Sequence, residues 1–446
     1  MALLDPLFGS AAMGEVFSDA ARLQRMLDFE AALARAESRC GVIPADAAPA
    51  ITSKCKAELI DTGALAVATA VSLNPAIPLV KQLTALVAKD DPEAARSVHW
   101  GATSQDVNDT GLVLQIRKGL DILEADLAAL CGGLTQLAKE HRSTPTAGRT
   151  LMQHALPTTF GVKVAGWLDA MNRHRKRLAE TRARVLVLQF GGAAGTLAAL
   201  REKGLQVAEA LAAELHLGLP AMPWHTQRDR VAEVATTLGL CTGTLGKIAR
   251  DISLHMQTEI AEVSEPVGEG RGGSSTMPHK RNPVTAAVVL SAATRVPGLV
   301  STMLSAMVQE DERGLGSWHA EWETLPEIFR LTAGALHQMA IIVPHLEIDA
   351  ARMRRNLEVT QGLIFAEGVT MAMGKHIGKS AAHTLVEVAS RQARESGKHL
   401  REVLALDRAV TERLTSAELD RLFAPENYLG VAEELVDRVI DASRKH

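Results

Sequence analysis

"VAEVATTLGLCTGTLGKIARDI", residues 231–252, decides the fold. Val231, Val234, Leu238, Cys241, Leu245, Ile248 and Ile252 step by 3, 4, 3, 4, 3 and 4. That spacing is the seam of a helix that packs its neighbours at a shallow angle in a bundle. No proline interrupts 229–263. One helix over that span would be roughly 50 Å long at 1.5 Å per residue. Continued past Ile252, the seam meets His255, Glu259 and Glu262. Two readings follow: the stripe slips register to Met256, Ile260 and Val263, or this end of the bundle faces a polar cavity.

Helical patterning extends outward from this stretch in both directions. Ser18 can cap a helix carrying Leu23, Met26, Leu27 and Leu33, with Gly41 and Pro44 closing it. Further long helices are predicted over 111–141, about 157–189, and 284–312 with a kink at Pro297. From about 349 the helices become shorter and charge-rich. The fold class is all-α: an N-terminal helical domain (1–110), a central long-helix bundle (111–348) with a loop at 264–283, and a C-terminal helical domain (349–446). A helix that long would expose its flanks in a monomer, so oligomerisation is expected.

The chain has 446 residues, 47 % of them hydrophobic, and a net charge of −4. No global field favours nucleic acid or an anionic membrane. The basic run "RHRKR" (173–177) reads as a solvated helix face or subunit contact; a basic binding module built on it is the rival reading. Cys40, Cys55, Cys131 and Cys241 lie far apart with no C-x-x-C, which argues for reduced thiols in a cytoplasmic protein. The first residues lack a signal-peptide pattern, and no uninterrupted apolar run reaches about 18 residues, so no membrane partner is expected.

Four polar stretches punctuate the helices: "HWGATSQDVNDT" (99–110), "GRTLMQHALPTT" (148–159), "PWHTQRDR" (223–230) and "GEGRGGSSTMPHKRNP" (268–283). Loops on rigid scaffolds carry function disproportionately. Gly268, Gly270 and Gly273 satisfy G-x-G-x-x-G, but a helical segment precedes them where a dinucleotide fingerprint requires a strand. No zinc, P-loop or EF-hand pattern occurs, so neither cofactor nor metal is expected. In the last loop, Lys280 and Asn282 are two residues apart between Pro278 and Pro283. A cation beside an amide donor stabilises a carboxylate that gains charge as its α-carbon loses a proton. Ser274 and Ser275 stand among glycines; a serine acts as a base only in a closed site with its pKa lowered. A flexible linker would share this composition.

"GGSSTMPHKRNP" closely resembles the G-S-S-x-M-P-x-K-x-N-P signature of the fumarase/aspartase superfamily. "GATSQDVNDT" and "GRTLMQHALPTTFG" resemble its other two regions, in the same order, and the resemblance covers essentially the whole chain. It implies a homotetramer with a twenty-helix core, five long helices per subunit, and active sites each shared by three subunits. It also implies β-elimination, or its reverse, beside a carboxylate. Ser274 would be the base; Lys280 and Asn282 would stabilise the aci-carboxylate. Thr103, Ser104, Gln105, Thr150 and Gln153 would bind substrate. His99, His154, Arg149 and Arg313 are candidates for further carboxylates, with a structural role open for each.

"MPHKRNP" and "RDRVAE" look like the adenylosuccinate lyase branch, but the general-acid histidine after G-R-T there is Leu151 here. The upstream histidine region is "AVSLNPAIPLV" with Asn74, and "ERGLGSWHAEW" (312–322) places Trp318 and Trp322 where small or cationic residues are expected. These departures are similar to the superfamily's lactonising branch, which acts on a tricarboxylate. There, in the reverse direction, the leaving group is an internal carboxylate whose conjugate acid has a pKa near 4, so it departs unprotonated. Leu151 is then expected to form part of a dry wall. A C–N lyase and a non-catalytic structural homologue are the alternatives.

Overall fold

The computed structural model describes residues 3–267, 272–273, 277 and 279–444. Seven helices frame the residues of interest: α1 (Asp19–Arg39), α2 (Ser104–Glu140), α3 (Phe160–Val185), α4 (Asp229–His255), α5 (Val284–Ser305), α6 (Ser317–Ile342) and α7 (Ala350–Leu357). The fold is all-α, and α2 to α6 are its five long helices. Two small antiparallel sheets accompany them: β1 (Pro145–Thr150) with β2 (Gln153–Thr159), and β3 (Val263–Ser264) with β4 (Glu347–Ile348).

Two compact units divide the chain. One comprises Met1–Asp126, His174–Leu245 and Val288–His337; the other comprises Leu127–Arg173, Gly246–Ala287 and Gln338–His446. In the first, Ser18 Oγ accepts the Ala21 N–H at 3.2 Å and caps α1 as expected. Leu23, Met26, Leu27 and Leu33 are buried, and Glu30 and Glu37 are buried with them. α5 approaches α4 so closely at Gly239 that a Cβ there would stand 2.9 Å from Val300. A larger residue there would force Val300 to shift.

The seam of α4 is buried throughout, none of its seven residues exceeding 6 % exposure. Each large side chain contributes about 1.5–3 kcal/mol of burial. The helix stops at His255, however, so it is about 40 Å long, shorter than expected. Ala261 adopts φ 50°, and the Glu262 N–H returns to the His255 carbonyl at 3.0 Å. The slipped register does not describe this end, because Met256, Ile260 and Val263 lie beyond the helix. The chain folds back and carries Glu262 to His255.

Two further boundaries differ from the sequence reading. α2 begins at Ser104, inside the supposed loop, because Asp106 Oδ2 reaches back to the Thr103 N–H at 3.0 Å. An acidic residue in the first turn capping the helix start is a recognised device. Residues 148–159, read as a polar stretch between helices, belong to a β-hairpin, and His154 is a strand residue.

α5 runs through Pro297 and ends at Ser305. Among the described residues it alone is long and apolar enough to cross a membrane by length and composition. Its Ala286, Val289, Ala292 and Val296 form a buried stripe at helical spacing, the pattern of a core helix. In the basic run, Arg173 pairs with Asp169 and Lys176 with Glu180, each one turn away, while both cations stay exposed. His174 of the same run is buried. Among the described residues, none of the four cysteines is in a disulfide. In the second unit, Val369, Met373, Val386, Leu400, Leu404 and Leu419 form a separate core for the C-terminal helices.

Candidate active site

In the first unit, polar groups converge on the N-terminus of α2. Asp106, fully buried, accepts five hydrogen bonds. Gln189 Nε2, the Gly191 N–H and His225 Nε2 reach Oδ1 at 3.0 Å each, while the Gly192 and Thr103 N–H groups reach Oδ2 at 2.9 and 3.0 Å. One turn on, Asp109 accepts from Arg228 at 2.7 and 3.2 Å and from Trp318 Nε1 at 3.0 Å. Arg228 is 2 % exposed, also pairs with Glu321, and lies 5.1 Å over the Trp224 ring. Burial opposes its charge, but Asp109 and Glu321 push its pKa well above the usual arginine value. Trp318 therefore serves this buried network.

The predicted residues sit on that frame. Gln105 donates to Asp109 and to the His225 carbonyl, and its Oε1 accepts from Arg313 Nε at 3.0 Å. A second Arg313 nitrogen reaches Thr103 Oγ1 at 3.2 Å. Asn74, noted as a departure, donates to Ser104 Oγ at 3.0 Å. His99, with φ 59°, places Nδ1 2.6 Å from Glu30 Oε1. Burial works against its charge, yet Glu30 and then Asp106 raise its pKa above the ordinary value. Arg313 thus stands on Thr103 and Gln105 at the start of α2, and His99 is held by Glu30.

The second unit carries the remaining residues. In the β1–β2 register Arg149 faces His154 and Thr150 faces Gln153. Arg149 donates to both oxygens of Glu262 at 3.0 and 2.7 Å. Glu262 is fully buried and also accepts from His255 at 2.7 Å and Asn356, on α7, at 2.8 Å. Burial would raise its pKa, but these bonds bring it down to about 2. Arg149 thus holds the hairpin to the end of α4. His154 Nδ1 is buried without a partner among the described residues, and burial, then Arg149, lower its pKa. Lys163, near the start of α3, is likewise lowered by burial and then by Arg149.

Leu151 and Met152 form the two-residue turn between β1 and β2, with φ 49° and 65°. Leu151 is 97 % exposed, so within this chain it lines no dry wall; an apolar residue at a hairpin tip has no core to face.

Of the glycine-rich loop, Ser274 and Ser275 lie outside the described residues, as do Gly268, Gly270 and Pro278. Its base is anchored. Glu265 accepts the Thr285 and Ala286 N–H groups at 3.0 and 2.9 Å and so caps α5. Arg281 pairs with Glu347 and donates to the Glu265 carbonyl. The Asn282 N–H meets the Gly272 carbonyl at 2.9 Å, and Lys280 is exposed.

Residues 9–298 match the family model described as Lyase. The chain belongs to this lyase family of the fumarase/aspartase superfamily. Residues 362–439 match a second model, the adenylosuccinate lyase C-terminus. Among the family's curated members, the chain is 59 % identical to 3-carboxy-cis,cis-muconate cycloisomerase of Pseudomonas aeruginosa, covering 98 % of this chain and 95 % of the relative. It is 55 % identical to the enzyme of that name from Bradyrhizobium diazoefficiens, over 99 % and 98 %. Its structure is similar to crystalline 3-carboxy-cis,cis-muconate lactonizing enzyme of Pseudomonas putida, with TM-score 0.95, 56 % identity and 99 % of each chain covered.

Sequence reasoning left Glu30, Asp106, Glu262 and Lys163 without roles. Glu30 did leave a signal: it is an acid on the apolar face of α1, three residues after Leu27.

Proposed function

We propose that the chain is an intramolecular lyase that converts 3-carboxy-cis,cis-muconate to 4-carboxymuconolactone, in the cytoplasm and in the protocatechuate branch of the β-ketoadipate pathway. The observation that carries this reading is the β1–β2 turn. Its Leu151 offers no proton, and burial and Arg149 favour the neutral form of the next imidazole, His154. A carboxylate leaving group needs no proton, whereas an amine does.

An internal carboxylate of the substrate adds to the double bond, and the electrons move into a neighbouring carboxylate as an aci-carboxylate. Lys280 and Asn282 stabilise that charge, and the hydroxyl of Ser274 delivers the α-proton; in reverse, Ser274 removes it. His99, Thr103, Ser104, Gln105 and Arg313 bind one end of the tricarboxylate. Thr150, Gln153 and His154 bind another, with Arg149 contributing its field from the Glu262 pair. No cofactor takes part. We also propose a homotetramer in which the 111–348 stretch supplies a twenty-helix core, flanked by 1–110 and 349–446, with three subunits forming each site.

A C–N lyase of the adenylosuccinate type is the second reading, favoured by the match of residues 362–439. The test follows absorbance loss of 3-carboxymuconate beside adenylosuccinate and argininosuccinate. Turnover of the first alone is expected. Ser274→Ala should cut kcat at least ~100-fold with unchanged helicity, and Lys280→Met at least as much. Turnover of adenylosuccinate without the muconate would overturn the assignment. Near-full activity in Ser274→Ala would move the base elsewhere.

A further inference from the structure

We propose that Glu30 is a positioning residue for His99: it holds the imidazole by Nδ1–H and keeps Nε2–H available as a donor to a substrate carboxylate. The proposal rests on placing His99 in the substrate site.

Glu30 is 1 % exposed, and its Oε1 lies 2.6 Å from His99 Nδ1. Its other oxygen has no hydrogen-bond partner among the described residues. A buried carboxylate with one polar partner binds that partner strongly, because no water competes for either group. His99 also sits at φ 59°, beside Gly101 at φ 70°. A non-glycine residue persists in that region only where its surroundings over-determine it. The bond to Glu30 is one such determinant, and it anchors the 99–103 segment to α1.

Other charges nearby are arranged to leave this bond intact. Among the described residues, Glu30 and Asp106 are the charged groups acting on His99, and Asp106 is already saturated by its five donors. On α1, Glu37 is fully buried with both oxygens unpartnered among the described residues. Burial, then Glu30, pushes its carboxyl up to about 9, so at neutral pH it is uncharged and does not compete for the imidazolium. The buried Cys55 thiol is pushed up by burial, Glu30 and Asp28 against the opposing pull of Arg35, and stays neutral too.

The functional consequence is a proton-dependent donor. While His99 is cationic, Nε2–H can meet a carboxylate. As pH rises through its raised pKa, the Nε2 proton leaves, because Glu30 retains the one on Nδ1. The outward nitrogen becomes an acceptor and carboxylate affinity falls.

Glu30→Gln keeps the shape and removes the charge. In the full-length enzyme labelled at histidine carbons, the His99 signal among 15 histidines is identified by its loss in His99→Asn. In Glu30→Gln we expect its titration midpoint to fall by at least about one pH unit. The rise of KM with pH should move to lower pH by the same amount, with kcat within about threefold of the parent. A midpoint within about 0.3 unit of the parent overturns the assignment, whatever the kinetics. A shifted midpoint with an unmoved KM profile would instead leave the Glu30–His99 coupling standing and remove His99 from the substrate site. If circular dichroism shows Glu30→Gln unfolded, Glu30→Asp serves. Its retracted carboxylate should give a smaller shift, and no shift overturns the proposal.

Discussion

Glu37 and Glu262 are both fully buried carboxyls, and their partners alone set opposite fates. Glu262 receives Arg149, His255 and Asn356 and is held at about 2. Its folded pKa lies below the unfolded one, so its contribution is complete above about pH 4.5 and is lost as pH falls toward 2. Glu37 has no such partner among the described residues and is raised to about 9. The folded state then binds a proton that the unfolded state has released, so stability falls as pH climbs from about 4.5 to 9. Glu37→Gln removes that dependence. We expect it to be more stable than the parent at pH 8 by a few kcal/mol, with the difference shrinking toward pH 4.5. Denaturant melts at the two pH values measure this; equal differences at both would show Glu37 to be paired. That Glu30 and Glu37 share the buried face of α1 is readable from their spacing among leucines. Which acid would find a histidine is not, since His99 is 69 residues away in sequence.

At the level of elements, the β1–β2 hairpin is the least expected feature. Two-residue hairpin turns with both φ values positive favour Asn-Gly, and Leu151–Met152 offers neither. The turn signal is therefore absent from the sequence, and the stretch reads as a polar loop or helix start. Each left-handed non-glycine residue costs about 1–2 kcal/mol, and here both side chains are large and exposed. Strain of this kind concentrates where the side chains are needed. We expect the double substitution Leu151→Asn, Met152→Gly to slow amide exchange across β1 and β2 and to lower kcat/KM at least tenfold. Slower exchange with unchanged kcat/KM would reduce the turn to a connection. The start of α2 teaches a related lesson: "TSQDVNDT" is polar enough to resemble a loop, yet Asp106 makes it the first turns of a helix by closing on Thr103.

For the whole molecule, the predicted residues fall into two groups: His99, Thr103, Ser104, Gln105 and Arg313 in one compact unit, and Arg149, Thr150, Gln153, His154, Lys280 and Asn282 in the other. If three subunits build each site, inactive variants should rescue one another. His99→Asn and Ser274→Ala chains, mixed in denaturant and refolded together, should regain part of the parent activity through sites that draw no lesion. Sedimentation should give a particle about four times the 47.6 kDa chain. A monomer, or verified hybrids without activity, would contradict the shared site.

The sequence by itself determined the helical class and the seam of α4, because a 3–4 apolar repeat is a local property with one physical solution in water. It determined the family as well, through the serine, lysine and asparagine run at 274–282, where chemistry constrains residue type regardless of packing. Tertiary structure alone decided where α4 stops, because nothing in "HMQTEIAEV" forbids a helix; Glu262 leaves it to reach His255 and Arg149. It likewise decided that Trp318 bonds Asp109 and that Glu30 bonds His99. Those choices depend on which distant groups share a water-free space, where an unpaired charge costs more than any local preference supplies.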